Sequence, residues 1–149
     1  MSKVIDTRAY VSLLREEVEQ GREVGMRIAG NSMSPFLVHQ RDDIFFKKPE
    51  SPLNKGDMVF YQRKNGQYVM HRICRVRPEG LYIVGDAQTA IEGPVLPEQV
   101  FARVTQVRRK GNLIGPESFW WKFFGKVWIC MIPLRPAAMK LYSLVRKHK

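Results

Sequence analysis

The sequence predicts a mainly β protein: a coiled, barrel-like antiparallel sheet, preceded by one helix and followed by an amphipathic helical tail. Two observations lead there. Short β-rich runs recur at close spacing between Val24 and Arg108, separated by Gly, Pro and Asn turns. Before and after that region the apolar residues recur at helical spacing instead. The 149 residues are the length of one ordinary domain with an appendage. The organisation read from them is residues 1–22 as an N-terminal helix, 23–110 as the β domain and 117–149 as a basic aromatic tail.

Composition narrows the class. An apolar fraction of 44% suits a globular core. No apolar run reaches the roughly 18 residues of a spanning helix. The N-terminus carries Arg8, Arg15, Glu16, Glu17 and Glu19, so it reads as neither a signal peptide nor an N-terminal transmembrane anchor. Cys74 and Cys130 form no metal-ligand cluster; they suit a reducing compartment, and two cysteines could also pair. The net charge is +11, and seven of those charges come from Ser118 onward, where no acidic residue occurs. A basic tail can seek nucleic acid or an anionic membrane surface.

In order, Ile5 to Gln20 reads as a helix with Asp6 as cap, Tyr10, Leu13, Leu14 and Val18 on one face, and Gly21 as stop. Val24 to Ile28 alternates as a short strand and runs into the Gly30-Asn31 turn and Ser32. Asp43 to Lys47 and Met58 to Tyr61 are strands. Asn65-Gly66 joins the second of these to Tyr68–Ile73 as a hairpin, and Arg75 to Arg77 continues or ends that arm. Leu81 to Val84 comes after the turn at Pro78-Glu79-Gly80. Val95 to Gln99, with Pro94 and Pro97, reads as a loop, and Phe101 to Arg108 as the last strand. Phe119, Trp120, Phe123, Phe124, Val127, Trp128 and Met131 then form an apolar face, with Lys122 and Lys126 opposite. Beyond Pro133 and Pro136 a second short helix carries Ala137, Leu141, Leu144 and Val145.

Three stretches carry chemistry. Gly30 to Pro35 offers a hydroxyl at Ser32, Tyr68 to Ile73 an imidazole at His71, and Tyr82 to Ala87 a carboxylate at Asp86. Together they are the inventory of a serine hydrolase. A serine just past a strand end can be held exposed, with peptide N–H groups near it to bind an oxyanion. Alone, a serine in a Gly/Asn/Pro turn is ordinary turn chemistry. Imidazole can take the serine proton near neutral pH without strong desolvation. His39 and His148 lie in a polar loop and in the tail and are poorer bases. For the tail, three tryptophans beside lysines are the composition of an interfacial membrane helix, with Trp120, Trp121, Trp128, Lys122 and Lys126 as the contacts. The bland alternative is a helix folded back on the β domain or on a partner. No nucleic-acid motif occurs, and nucleic acid is not expected as a partner.

Taken together, the boxes resemble those of the type I signal peptidases. Ser32-Met33-Ser34-Pro35 is similar to the Ser-Met-x-Pro box. Lys55 to Val59 resembles the Gly-Asp-hydrophobic strand, and Gly85-Asp86-Ala87 the Gly-Asp-Asn box. Pro94 to Val104 is similar to the stretch that closes the catalytic sheet. The resemblance spans Val24 to Val107, in order. His71 stands where many members carry lysine, which implies the endoplasmic-reticulum and archaeal type with a histidine base.

The resemblance implies a serine endopeptidase needing no cofactor or metal, acting on a peptide or precursor protein with small residues near the cut. Ser32 would be nucleophile, His71 general base, and Asp86 or Glu92 its supporting carboxylate. Ala87 departs from the usual Asn, and Gly30 stands where some members place a serine. The expected location is cytoplasmic or peripheral on the cytoplasmic membrane. Two alternatives stand beside this reading: a non-catalytic member of the fold that binds peptides or membranes, and a self-cleaving regulator. The 31 residues before Ser32 are short for the DNA-binding domain and linker that a regulator needs.

Overall fold

The protein is described by a computed structural model over residues 2–147, with side chains over residues 9–145. The elements are α1 (Ser2–Glu19), β1 (Val24–Arg27), β2 (Asp43–Lys47), β3 (Met58–Gln62), β4 (Tyr68–Arg77), β5 (Gly80–Val84), β6 (Glu92–Val95), β7 (Val100–Arg109) and β8 (Asn112–Ile114). After them come α2 (Phe119–Lys122) and α3 (Arg135–Lys147). A π-helical turn over Phe123–Val127 and 3-10 turns at Trp128–Cys130 and Ile132–Leu134 link the last two.

The strands form one antiparallel sheet in the order β1-β2-β7-β3-β4-β5-β6, with β8 paired to β7. The mainly β expectation holds, but the barrel-like sheet stays open. Its register explains why. β5 pairs with β4 only from Arg72 onward, so Tyr68 to His71 bond to β3 alone and leave their other edge free. β1 pairs only with β2. These two free edges bound a cavity instead of bonding to each other.

Alternation along the strands buries two apolar layers. One contains Met33, Phe36, Ile44, Phe46, Phe60 and Val104, among others; the second contains Val59, Tyr61, Val69, Ile73, Ile83 and Val95. α1 lies on the first layer through Val11, Leu14 and Val18, while Tyr10 and Leu13 stay exposed. The apolar face is therefore turned from the one expected from sequence. Asp6, expected as the cap, lies inside α1, and its side chain falls outside the described residues, as does all of His148.

Part of the tail packs on the β domain. Phe124 and Trp128 are buried in the first layer, and Trp121 and Phe123 pack partly against it. This is the folded-back arrangement for one side of the tail. The other side is left bare: Phe119, Trp120 and Val127 are exposed. Among the described residues no helix is long and apolar enough to cross a membrane.

Candidate active site

The loop after β1 is anchored by the residues just past Ser32. Met33, Phe36 and Leu37 are buried, and Leu37 N–H donates to the Met33 carbonyl at 2.9 Å. Gly30 has φ +91°, the left-handed conformation that glycine adopts without steric cost. Its N–H donates to Nδ1 of His39 at 2.7 Å, which gives that histidine a structural role. Ser32 is left half-buried at the turn between exposed and buried chain.

The Gly85-Asp86-Ala87 segment lies directly against it. Ala87 N–H donates to the Ser32 carbonyl at 2.9 Å. A Cβ on Gly85 would lie 2.6 Å from that same carbonyl oxygen and 2.7 Å from Oε1 of Gln88. Only glycine lets the two backbones come this close.

Ser32 and His71 line one cavity of about 370 Å³. Ala29 and Gly30 line it in succession with Met26 to Ile28, and so do Tyr68 to His71. Consecutive residues share a wall when a cavity runs along strand edges rather than across a face. The remaining wall is mostly apolar, with Val11, Met33, Ile44 and Phe60. A wider cavity of about 770 Å³ meets His71 as well, with Arg63, Gln88 and Glu92, but does not include Ser32.

Asp86 is not brought to His71. Its two oxygens accept from Nε and Nη2 of Arg72, each at 2.9 Å, and both side chains are fully buried. Arg72 also donates from Nη1 to the Gly56 carbonyl, and its guanidinium lies 5.4 Å from the Phe36 ring centroid. The reason is strand geometry. Arg72 comes directly after His71 in β4, so their side chains point to opposite faces, and Asp86 joins the arginine's face. The expected hydrogen bond from His71 to Asp86 is absent, and Asp86 acts on the imidazole only through its charge.

Glu92 is the carboxylate with the larger effect on His71. It accepts from Tyr61 Oη at 2.8 Å and from Arg63 at 2.8 to 3.1 Å. His71 itself makes no hydrogen bond through its ring among the described residues. Burial pushes the imidazole down to about 4, the Arg63 charge pushes the same way, and Glu92 and then Asp86 oppose them. The Arg63 and Tyr61 hydrogen bonds hold the Glu92 carboxyl below its ordinary range against the cost of its partial burial. Tyr61 is raised by burial and by Glu92.

Sequence reasoning passed over Arg63 and Gln88, which line both cavities. Arg63 lies at the start of the Asn65-Gly66 hairpin loop and Gln88 two residues after Asp86, so proximity to the recognised boxes was the available signal. No group of three or more acidic, His or Cys side chains suited to a metal occurs among the described residues.

No protein-family model, curated protein or solved structure matches the chain. The resemblance to type I signal peptidases therefore rests on the sequence boxes.

Proposed function

We propose that the protein is a serine endopeptidase of the signal-peptidase type, with Ser32 as nucleophile and His71 as general base. The observation that carries this is that Ser32 and a buried His71 line one cleft between two free strand edges. As Ser32 Oγ bonds to a peptide carbonyl carbon, its proton passes to His71. The backbone N–H of Ser32, which has no acceptor among the described residues, is the donor this reading assigns to the developing oxyanion. His71 then gives the proton to the departing amine nitrogen as the C–N bond breaks. Water, deprotonated by the same imidazole, releases the acyl group and restores Ser32. Glu92, held by Arg63 and Tyr61, takes the charge-stabilising part that the sequence boxes assign to Asp86. The free edges of β1 and β4 suit an extended peptide, and the resemblance suggests small residues beside the cut.

The test is mass spectrometry of wild type, Ser32→Ala and His71→Ala after incubation with an extended peptide library rich in small residues. Cleavage by wild type alone is expected, with each variant losing about a hundredfold or more in rate. Full activity in either folded variant overturns the assignment. The missing Asp86–His71 hydrogen bond favours a second reading, a peptide-binding member of the same fold. Folded wild type that cuts nothing and takes no serine-directed phosphonate at Ser32 would favour that reading instead.

A further inference from the structure

The bare side of the tail is organised. Within α3, Ala138 and Met139 pack on the core, while Leu141, Leu144 and Val145 are all exposed, Leu141 at 63%. At about 100° per residue, these three and Ala137 fall within one stripe about 100° wide, which borders the packed side at Ala138. Leu134 precedes the helix and is also exposed. At the other end of the tail, Phe119 is 69% exposed and packs its ring against Trp120 and Phe123. The charge is of one sign: Lys122, Lys126 and Lys140 lie along the same segment, and no acidic residue occurs from Ser118 to the C-terminus.

Charge selects the occupant. A second copy of the chain packed on the same segment would bring two cationic tails together with no acidic side chain of either tail between them. An anionic lipid surface complements those cations and also takes exposed aliphatic and aromatic groups at its hydrocarbon boundary. We propose that the exposed apolar groups of the tail, Phe119, Trp120, Leu134, Leu141, Leu144 and Val145, together with Lys122, Lys126 and Lys140, dock on an anionic bilayer. Of the tryptophans expected to do so, Trp128 is buried, and Trp121 is half-buried and meets the Phe36 ring edge-on at 6.2 Å. Trp120 alone keeps that role.

The surface is fixed to the candidate site. Trp128 Nε1 donates to the Asp86 carbonyl at 2.7 Å, and Arg135 Nη1 to the carbonyls of Gly85 at 2.8 Å and Gln88 at 2.9 Å. A docked tail therefore holds the Ser32 loop at a set position relative to the lipid surface.

The test is co-sedimentation of the full chain with vesicles of phosphatidylglycerol and phosphatidylcholine, against vesicles of phosphatidylcholine alone. Wild type should sediment with the anionic vesicles and be released by high salt. The exposed-site variant Leu141→Glu/Leu144→Glu, with unchanged near-UV circular dichroism, should lose about tenfold or more of its partitioning. Lys122→Gln/Lys126→Gln/Lys140→Gln, which leaves the apolar stripe intact, should lose the preference for anionic lipid. No sedimentation of wild type, or wild-type behaviour of both variants, overturns the proposal. So does a dimer in sedimentation velocity that the glutamate variant dissolves. None of these readouts depends on Ser32 or on cleavage.

Discussion

At pH 7 the His71 imidazole is neutral, because burial and the nearby Arg63 push its proton affinity down to about 4. A base in that state is available across the neutral range, so cleavage should keep its rate down to about pH 5 and fall only near 4. A fall centred on the ordinary imidazole value would show that substrate or solvent reaches the ring. Each neighbour makes its own contribution. Arg63→Gln removes the opposing cation and leaves Glu92 less compensated, so the His71 value should rise. Glu92→Gln should lower it further. Titration of the His71 ring protons by NMR measures both, and no movement in either variant would take the pair out of the site. Stability depends on the same group. The unfolded imidazole binds a proton below about 6.5, whereas the folded one resists it until about 4. Stability should therefore drop as pH falls from 6.5 to 4, by up to roughly 3 kcal/mol, and His71 should add no further loss below that. Urea melts of wild type and His71→Phe across this range should show a shallower slope in the variant.

The segment between β5 and β6 does more than carry an acid. Asp86 neutralises Arg72 with two hydrogen bonds in a fully buried pair. Removing one partner leaves a buried charge, so Asp86→Ala should cost about 3–5 kcal/mol. Lost cleavage in that variant would then accompany a lower midpoint in thermal melts, whereas His71→Ala should lose cleavage while folded. Gly85→Ala should displace the Ser32 carbonyl and weaken cleavage with a smaller stability loss, since no buried charge is uncovered. An Asp86→Ala protein that melts like wild type would show that the ion pair adds nothing to stability. In the fold Gly85 and Ala87 meet Ser32, as the boxes would need. What they could not give was side: one residue along β4 separates His71 from the arginine that takes Asp86. The same limit hid β6. Pro94 argued against a strand, but β6 is the sheet's last strand, bonded only to β5, where a missing N–H is tolerated. β8 was hidden because Lys110-Gly111 turns the chain with two left-handed residues, φ +54° and +85°, without the usual Asn-Gly pair.

Across the whole molecule, the tail completes the β domain. The helical spacing was legible from Phe119 onward, but one periodic face could not reveal that its residues would divide between core and surface. Gly56 makes that division possible. A Cβ on Gly56, whose φ is +98°, would lie 2.6 Å from the Gly125 carbonyl oxygen, so the tail backbone rests directly on the turn before β3. Phe124 then meets Phe36 with ring centroids 4.9 Å apart, and Trp128 closes over the Asp86 carbonyl. Arg135, almost fully buried, ties the Trp128 carbonyl to the same loop. Deleting residues 118–149 should thus remove two large core side chains, each worth about 3–5 kcal/mol, against a total near 5–15 for an ordinary domain. The truncated chain should lose its cooperative thermal transition and its near-UV circular dichroism, while Leu141→Glu/Leu144→Glu keeps both. A truncated protein that melts cooperatively near the wild-type temperature would make the tail a separable appendage. The hydrogen bonds from Trp128 and Arg135 would then count as incidental to the Ser32 loop.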